Sequence, residues 1–183
     1  QQLRLHKCVR DALLVTGPKR EISLLRKIPS VEPTEITVLD VSLRANRSDV
    51  ERLLQDGHRL TYIDHHNSGP IPEHKNFISC IDTDPAVCTS VIVDQMLEGK
   101  YRDWAITAAF GDNLIDTAKT LAQKTNLSSS QVEKLQELGE LVNYNGYGRK
   151  VDDLWFSPEE LFWKMQGYQS PLDFYGEAPE FVA

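Results

Sequence analysis

The tripeptide Asp64-His65-His66 closes the apolar, β-prone run Leu60-Thr61-Tyr62-Ile63 and brings three metal-competent or proton-handling side chains to one point of the chain. In open α/β folds the carboxyl end of a strand is where ligands bind. Thr37-Val38-Leu39-Asp40 makes a second delivery of the same kind, and Gly111-Asp112-Asn113, read as opening an apolar helix, makes a third. Two histidines and three aspartates on separate elements read as a metal site for phosphate chemistry. Carboxylates and neutral imidazoles suit Mn²⁺, and less selectively Mg²⁺, Co²⁺, Fe²⁺ or Zn²⁺. Two such ions roughly 3.5–4 Å apart can clamp a phosphoryl group and activate a water between them. Each residue taken singly has a plainer use: Asp40 as a turn or cap former, Asp112 as the cap of the helix it opens.

The elements that must position these residues are legible along the chain. Ala12–Thr16, Ile36–Asp40, Leu60–Asp64 and Phe77–Ile81 read as strands, and Glu21–Ile28 as a short helix. Ser48 with Glu51 three residues on predicts a capping box for a helix that ends near Gly57. A helix over 86–97 follows the turn Asp82-Thr83-Asp84-Pro85. From Tyr101 the pattern is helical nearly throughout, with helices expected over 104–110, 114–123 and 130–142, the last started by Ser128 or Ser130 with Glu133 in its first turn. Asn143–Lys150 reads as a loop, and Ser157-Pro158-Glu159-Glu160 as the start of a final helix with proline at its first position. Alternating strands and helices imply a parallel sheet of βαβ units, whose crossovers put successive strand ends on one edge. The fold class is thus α/β, with a three-layer core, flanking helices and a helix-rich second half. One domain spans 1–167, with an irregular tail or the start of a linker over 168–183.

Composition narrows the function classes. A chain of 183 residues with 40% hydrophobic and 26% charged residues has the make-up of a globular domain with a real core. A net charge of −7 argues against bulk binding of duplex DNA. It does not exclude a phosphorylated substrate, because a divalent ion inverts the charge of an acidic pocket. Cys8, Cys80 and Cys88 form no metal-knuckle pattern and read as reduced thiols of a cytoplasmic protein. No apolar stretch is long enough for a membrane helix. The opening Gln1–Lys7 has no Met and no cap ahead of it, and reads as the later turns of a helix in a fragment whose first strand is missing.

Tyr62-Ile63-Asp64-His65-His66 resembles the eponymous motif of the DHH phosphoesterase superfamily, which includes the exonuclease RecJ, nano-RNases, family II inorganic pyrophosphatases and exopolyphosphatases. Val38-Leu39-Asp40-Val41-Ser42-Leu43 with Asn46 resembles its second motif. Ala108–Leu114, around Gly111-Asp112-Asn113, resembles its fourth, and the Cys88-Thr89-Ser90 segment resembles the small-residue helix that follows the strand carrying Asp64-His65-His66. The resemblance covers about Gln1–Tyr147. It implies that Asp40 bridges two metals, that His65 and Asp112 ligate one of them, that His66 donates to the scissile phosphate, and that Asp64 orients the histidines from behind. Asn46 is implied at the substrate side or as a holder of the loop after Asp40. The expected activity is hydrolysis of a phosphodiester or phosphoanhydride with a metal-activated water, using Mn²⁺ (or Mg²⁺ or Co²⁺). The expected substrate is a short single-stranded oligonucleotide, a dinucleotide or polyphosphate. The family's first motif and its glycine-rich C-terminal substrate motif are both absent from this sequence. A non-catalytic nucleotide- or protein-binding relative with an incomplete metal site is therefore the competing expectation.

Arg44, Arg47, Arg149 and Lys150 are further candidates for phosphate contact, since guanidinium takes phosphate bidentately. Trp155, Phe156, Phe162 and Trp163 could stack on bases, but their near-helical spacing favours core packing. His6, His58 and His74 read as structural or surface residues. Asp82 and Asp84 read as turn formers.

Overall fold

The computed structural model describes residues 1–7, 12–29 and 32–178. The β-branched and aromatic runs become three strands, β1 (Glu35–Leu39), β2 (Arg59–Asp64) and β3 (Phe77–Ile81). They pair in the order β1-β2-β3, and both pairs are parallel. Leu39 lies opposite Ile63, and Asp64 opposite Ile81, so the carboxyl ends of all three strands reach the same edge. The chain is an α/β protein with a small parallel sheet and many helices.

The helices are α1 (Gln2–Lys7), α2 (Arg47–Gln55), α3 (Thr89–Met96), α4 (Arg102–Gly111), α5 (Ile115–Ala122), α6 (Ser129–Asn145), α7 (Pro158–Gln166) and α8 (Pro171–Glu177). Apolar residues of α2 (Val50, Leu53, Leu54) pack with Val38, Leu60 and Tyr62 of the sheet and with Leu25 and Leu43. Ile63 turns instead to Ile92 and Val93 of α3 and to Leu3 of α1. Leu43, Leu53 and Leu60 are almost wholly out of water, each contributing about 1.5–3 kcal/mol by burial. Among the described residues no helix is long and apolar enough to cross a membrane.

A backbone-to-backbone contact joins α4 to α6. A Cβ built on Gly139 would sit 2.2 Å from the carbonyl oxygen of Thr107, and one on Gly111 would sit 2.6 Å from that of Gly139. No side chain fits between the two helices at this crossing. Gly111 immediately precedes Asp112, so the crossing fixes where α4 delivers that carboxylate.

Several elements differ from the sequence reading. Residues 12–16 form no strand, and Leu13 is exposed. An apolar run becomes a strand only where a neighbouring edge offers a ladder, and this one meets Gly17-Pro18 before finding one. Glu21–Ile28 shrinks to a single 3-10 turn at Leu24–Lys27. Ser48 does not cap α2: a 3-10 turn at Arg44–Asn46 runs straight into the helix, which begins one residue before Ser48. The helix expected from Ala86 begins only at Thr89, because Asp82 and Asp84 accept from the amides of Asp84 and Ala86 and hold that stretch in turns. Those two aspartates are thus the turn formers expected of them. Of the two candidate serines, Ser128 caps α6, in a box with Gln131 and not with Glu133.

The tail is also more ordered than expected. Pro171 occupies the first turn of α8 behind the cap Ser170, a position where its missing N–H costs nothing. Phe174 of α8 is fully buried with Trp104, Leu138 and Leu161, and the Trp104 indole donates to the carbonyl of Gln169 at 2.8 Å. Residues 179–183, with the last part of the expected tail, lie outside the described residues, as does Cys8. Cys80 and Cys88 are free thiols, half-buried and buried. The core packing expected of the C-terminal aromatics holds for Phe156, which joins this cluster. It fails for Trp155, 82% exposed in the segment ahead of α7, and for Trp163, also exposed, which lies on the face of α7 opposite the buried Leu161.

Candidate metal centre

The parallel register sets Asp40, one residue past β1, beside the end of β2, where the Asp40 amide donates to the carbonyl of Ile63 at 3.1 Å. Asp40 adopts φ 60°, the left-handed region, which aspartate tolerates better than most residues. This bend leaves its side chain 62% exposed. Thr89, at the start of α3, donates its hydroxyl to Asp40 Oδ1 at 2.8 Å and fixes that carboxylate.

His65 Nε2 faces the same oxygen of Asp40 at 3.4 Å and lies 3.9 Å from Asp112 Oδ2. Its other ring nitrogen, Nδ1, donates to the carbonyl of Val87 at 2.8 Å. A backbone carbonyl on the far nitrogen is a typical orienting partner of a metal-ligating histidine. The hydrogen bond to Asp40 is the largest of several contributions that raise the His65 pKa to about 9, against the opposing effect of burial. Burial pushes Asp40 up, but the hydrogen bonds from His65 and Thr89 outweigh it and leave its carboxyl below the usual value.

His66 is held differently. Its Nδ1 donates to Asp64 Oδ1 at 2.7 Å, and Asp64 is completely buried at the end of β2. The other Asp64 oxygen, Oδ2, has no hydrogen-bond partner. Asp64 therefore orients His66 alone, whereas the expectation was that it orients both histidines; Val87 does this for His65. The two imidazoles meet edge to face, with ring centres 4.7 Å apart. One ligand atom each from Asp40, His65 and His66 lie within 4.8 Å of one another. Asp112 closes the C-terminus of α4 and does not open α5, whose cap is Leu114. Its carboxylate borders the group from the side of His65.

Comparisons with family models, curated proteins and solved structures give no match for this chain. What the site can do is therefore carried by its own geometry. Two imidazoles and a carboxylate around one point, with a second carboxylate close by, form a donor set for a first-row divalent cation. The orientation of His65 Nδ1 toward a carbonyl leaves Nε2 as the ligating atom, so the residues present fit such an ion.

The sequence reading also named residues that lie elsewhere. Asn46 is fully buried: it donates to the carbonyls of Ile22, at 2.6 Å, and Ser42, at 3.0 Å, and accepts from the Leu25 amide at 3.3 Å. It holds the loop after Asp40 to residues 22–25 and does not present itself to a substrate. Asn46→Ala should lower stability by about 1–3 kcal/mol, the cost of stranding buried backbone groups, read by urea unfolding; an unchanged midpoint would contradict that role. Arg47 is occupied by Glu51, at 2.6 Å, and by the carbonyl of Pro70, which ties α2 to the loop carrying His65 and His66. Arg44 is exposed on the loop between Asp40 and α2. Arg149 lies in a different groove, with none of the cluster residues lining it.

Three participants were missed. Thr89 was quoted only as part of a small-residue helix, although a hydroxyl at a helix start is a usable signal. The Val87 carbonyl carries no side-chain signature at all. Cys88 is buried close enough for Asp40 and Asp112 to raise its thiol pKa, although burial is the larger cause.

Proposed function

We propose that this chain carries the metal centre of a DHH-type phosphoesterase, with its sheet and helices arranged as a three-layer α/β core, and that it hydrolyses a phosphodiester or phosphoanhydride of a small substrate. The observation that supports the reading is the convergence of Asp40, His65 and His66 within 4.8 Å at the carboxyl edge of a parallel sheet.

In this proposal Asp40 and His65 hold a Mn²⁺ ion, with Asp112 as the neighbouring carboxylate. The ion supplies Lewis-acid charge that polarises the phosphoryl group and acidifies water. Thr89 keeps Asp40 from rotating away. The Val87 carbonyl keeps the His65 proton on Nδ1, so that Nε2 faces inward. Asp64 accepts the Nδ1 proton of His66, and Nε2, in the doubly protonated ring, would donate to a phosphoryl oxygen. The exposed guanidinium of Arg44 is available to the same substrate. The test is Mn²⁺-dependent release of p-nitrophenol from bis(p-nitrophenyl) phosphate, compared with His66→Ala and Asp112→Ala. Both variants should lose activity by about 10²-fold or more with unchanged circular dichroism, and unchanged turnover in both would end the mechanism.

The acid–base state of the site gives a second check. Without metal, the His65–Asp40 pair stabilises the fold fully below the ordinary histidine pKa of 6.5, and that contribution is lost as pH rises through about 9. Metal binding needs neutral Nε2, so the pair works against the ion. Between pH 6 and 8 each bound ion should displace one proton, and affinity should rise about tenfold per pH unit. Calorimetric Mn²⁺ titrations in buffers of different ionisation enthalpy count that proton; a pH-independent affinity would exclude His65 as a ligand.

A second reading is favoured by one observation. Asp40, His65 and His66 form the single cluster of metal-competent groups found among the described residues, enough donors for one ion and not for a two-ion clamp. On that reading the chain is a non-catalytic module that binds a nucleotide or protein. Ion binding without hydrolysis would decide for it.

A further inference from the structure

The chain is acidic overall, yet one groove reverses the sign. Residues 18–26 form one wall and residues 149–151 the other of an open surface groove of about 510 Å³. That falls within the roughly 300–1,000 Å³ typical of small-ligand sites, enough for a nucleotide or two and too small for a duplex. Arg20, Arg26, Arg149 and Lys150 line it, against one carboxylate, Glu21. Glu21 is already engaged by Lys27 at 2.7 Å. Among the described residues no carboxylate pairs with the side chains of Arg20, Arg26 or Arg149. Lys150 has only a loose contact at 3.5 Å with the exposed Asp152.

An aromatic side chain stands beside these cations. Tyr147, between the end of α6 and Arg149, is 66% exposed. Lys19, next to the wall residues Pro18 and Arg20, lies over the Tyr147 ring at 5.0 Å and hydrogen-bonds Asn143. Tyr147 is thereby held at the rim. A large aromatic left in water beside unpaired guanidinium groups has no role in the core. Together they are the two components of single-strand recognition, cations for the phosphates and a flat ring for a base.

We infer that this groove binds the sugar–phosphate backbone of a single-stranded oligonucleotide, with Tyr147 stacking on an unpaired base. The site is separate from the metal cluster and is independent of the hydrolytic reading: it requires neither an ion nor bond cleavage. It is fastened to the loop after Asp40 through Asn46, whose amide holds the carbonyl of the groove residue Ile22. Inorganic polyphosphate would satisfy the cations equally well, but it has nothing to place on the ring.

The experiment is fluorescence anisotropy of a labelled oligothymidylate of about ten nucleotides with the whole chain in EDTA, so that hydrolysis plays no part. Four phosphate contacts predict a slope of log K against log salt of about −3. The double charge reversal Arg20→Glu/Arg149→Glu should weaken binding at least about tenfold, and Tyr147→Ala about fivefold or more. Lys75→Glu, at the amino edge of β3 and outside the groove, should change nothing. All of these positions are exposed, so the fold should be unaffected, and thermal unfolding checks this. Absence of binding, or equal loss in the Lys75→Glu control, would overturn the proposal. Loss by charge reversal with full binding in Tyr147→Ala, and competition by polyphosphate, would overturn the nucleic-acid assignment in favour of polyphosphate.

Discussion

Asp40→Ala should remove divalent-metal binding and reduce hydrolysis by more than the roughly 10–100-fold that follows loss of an orienting partner alone. Asp40 Oδ1 is the atom on which the site converges, with Thr89 at 2.8 Å and His65 Nε2 at 3.4 Å. Removing it takes away the proposed ligand and also the anion that holds the His65 proton, so the imidazole pKa should fall from about 9 back toward the ordinary value. Two readouts follow from one substitution: Mn²⁺ calorimetry, and the His65 titration by NMR without metal. Asp64→Asn is the informative contrast, because it should shift the orientation of His66, lower the rate by about 10–100-fold and leave the His65 titration in place. If Asp40→Ala binds Mn²⁺ as tightly as the parent chain, the metal centre described above is wrong.

The second large effect concerns Gly139, which touches no site residue. Alanine there would drive its Cβ to 2.2 Å from the Thr107 carbonyl and 2.9 Å from the Gly111 amide, both backbone atoms that cannot swing aside. The helices α4 and α6 would have to separate, at a cost of about 1–3 kcal/mol or more. Because Asp112 is the next residue after Gly111, that separation carries the carboxylate away from His65. Gly139→Ala should therefore lower the melting temperature and weaken Mn²⁺ binding together. A core truncation such as Leu135→Ala, buried on the same helix α6, should cost about 2–5 kcal/mol with a much smaller change in affinity per unit of stability lost. Equal coupling in the two variants would mean that the glycine crossing has no particular hold on Asp112.

What the sequence made legible depended on which interactions fix each feature. The strands ending at Leu39, Asp64 and Ile81 were readable from their β-branched and aromatic residues, although only β2 is largely buried, with one buried residue in β1 and none in β3; their shared edge followed from crossover handedness. Ala12–Thr16 has the same local character and is no strand, since strand formation is decided by a partner that lies far away in the chain. The start of α2 was misread because a 3-10 turn feeds the helix and makes a capping serine unnecessary. α8 falls in the segment expected to be irregular because Pro171 and Gly176 are poor helix formers, while the cap Ser170 and the burial of Phe174 determine the outcome. Within the site, the side chains with metal chemistry stood out by type. The Val87 carbonyl and the pairing of Asp64 with His66 in preference to His65 did not, since backbone acceptors and rotamers leave no trace in residue identity. Asn46 looked polar and functional, but it is polar in order to satisfy buried backbone groups.

Asp40 has the backbone of a glycine: its φ of 60° is a conformation that an L side chain adopts at a cost of about 1–2 kcal/mol, somewhat less for aspartate. The residue that would fold most comfortably at position 40 is therefore not the one that can hold an ion. A library of variants sorted only for heat tolerance should accumulate glycine there, and one sorted for turnover should purge it. The direction in which position 40 drifts would report whether selection acts on the chemistry of this chain or merely on its persistence.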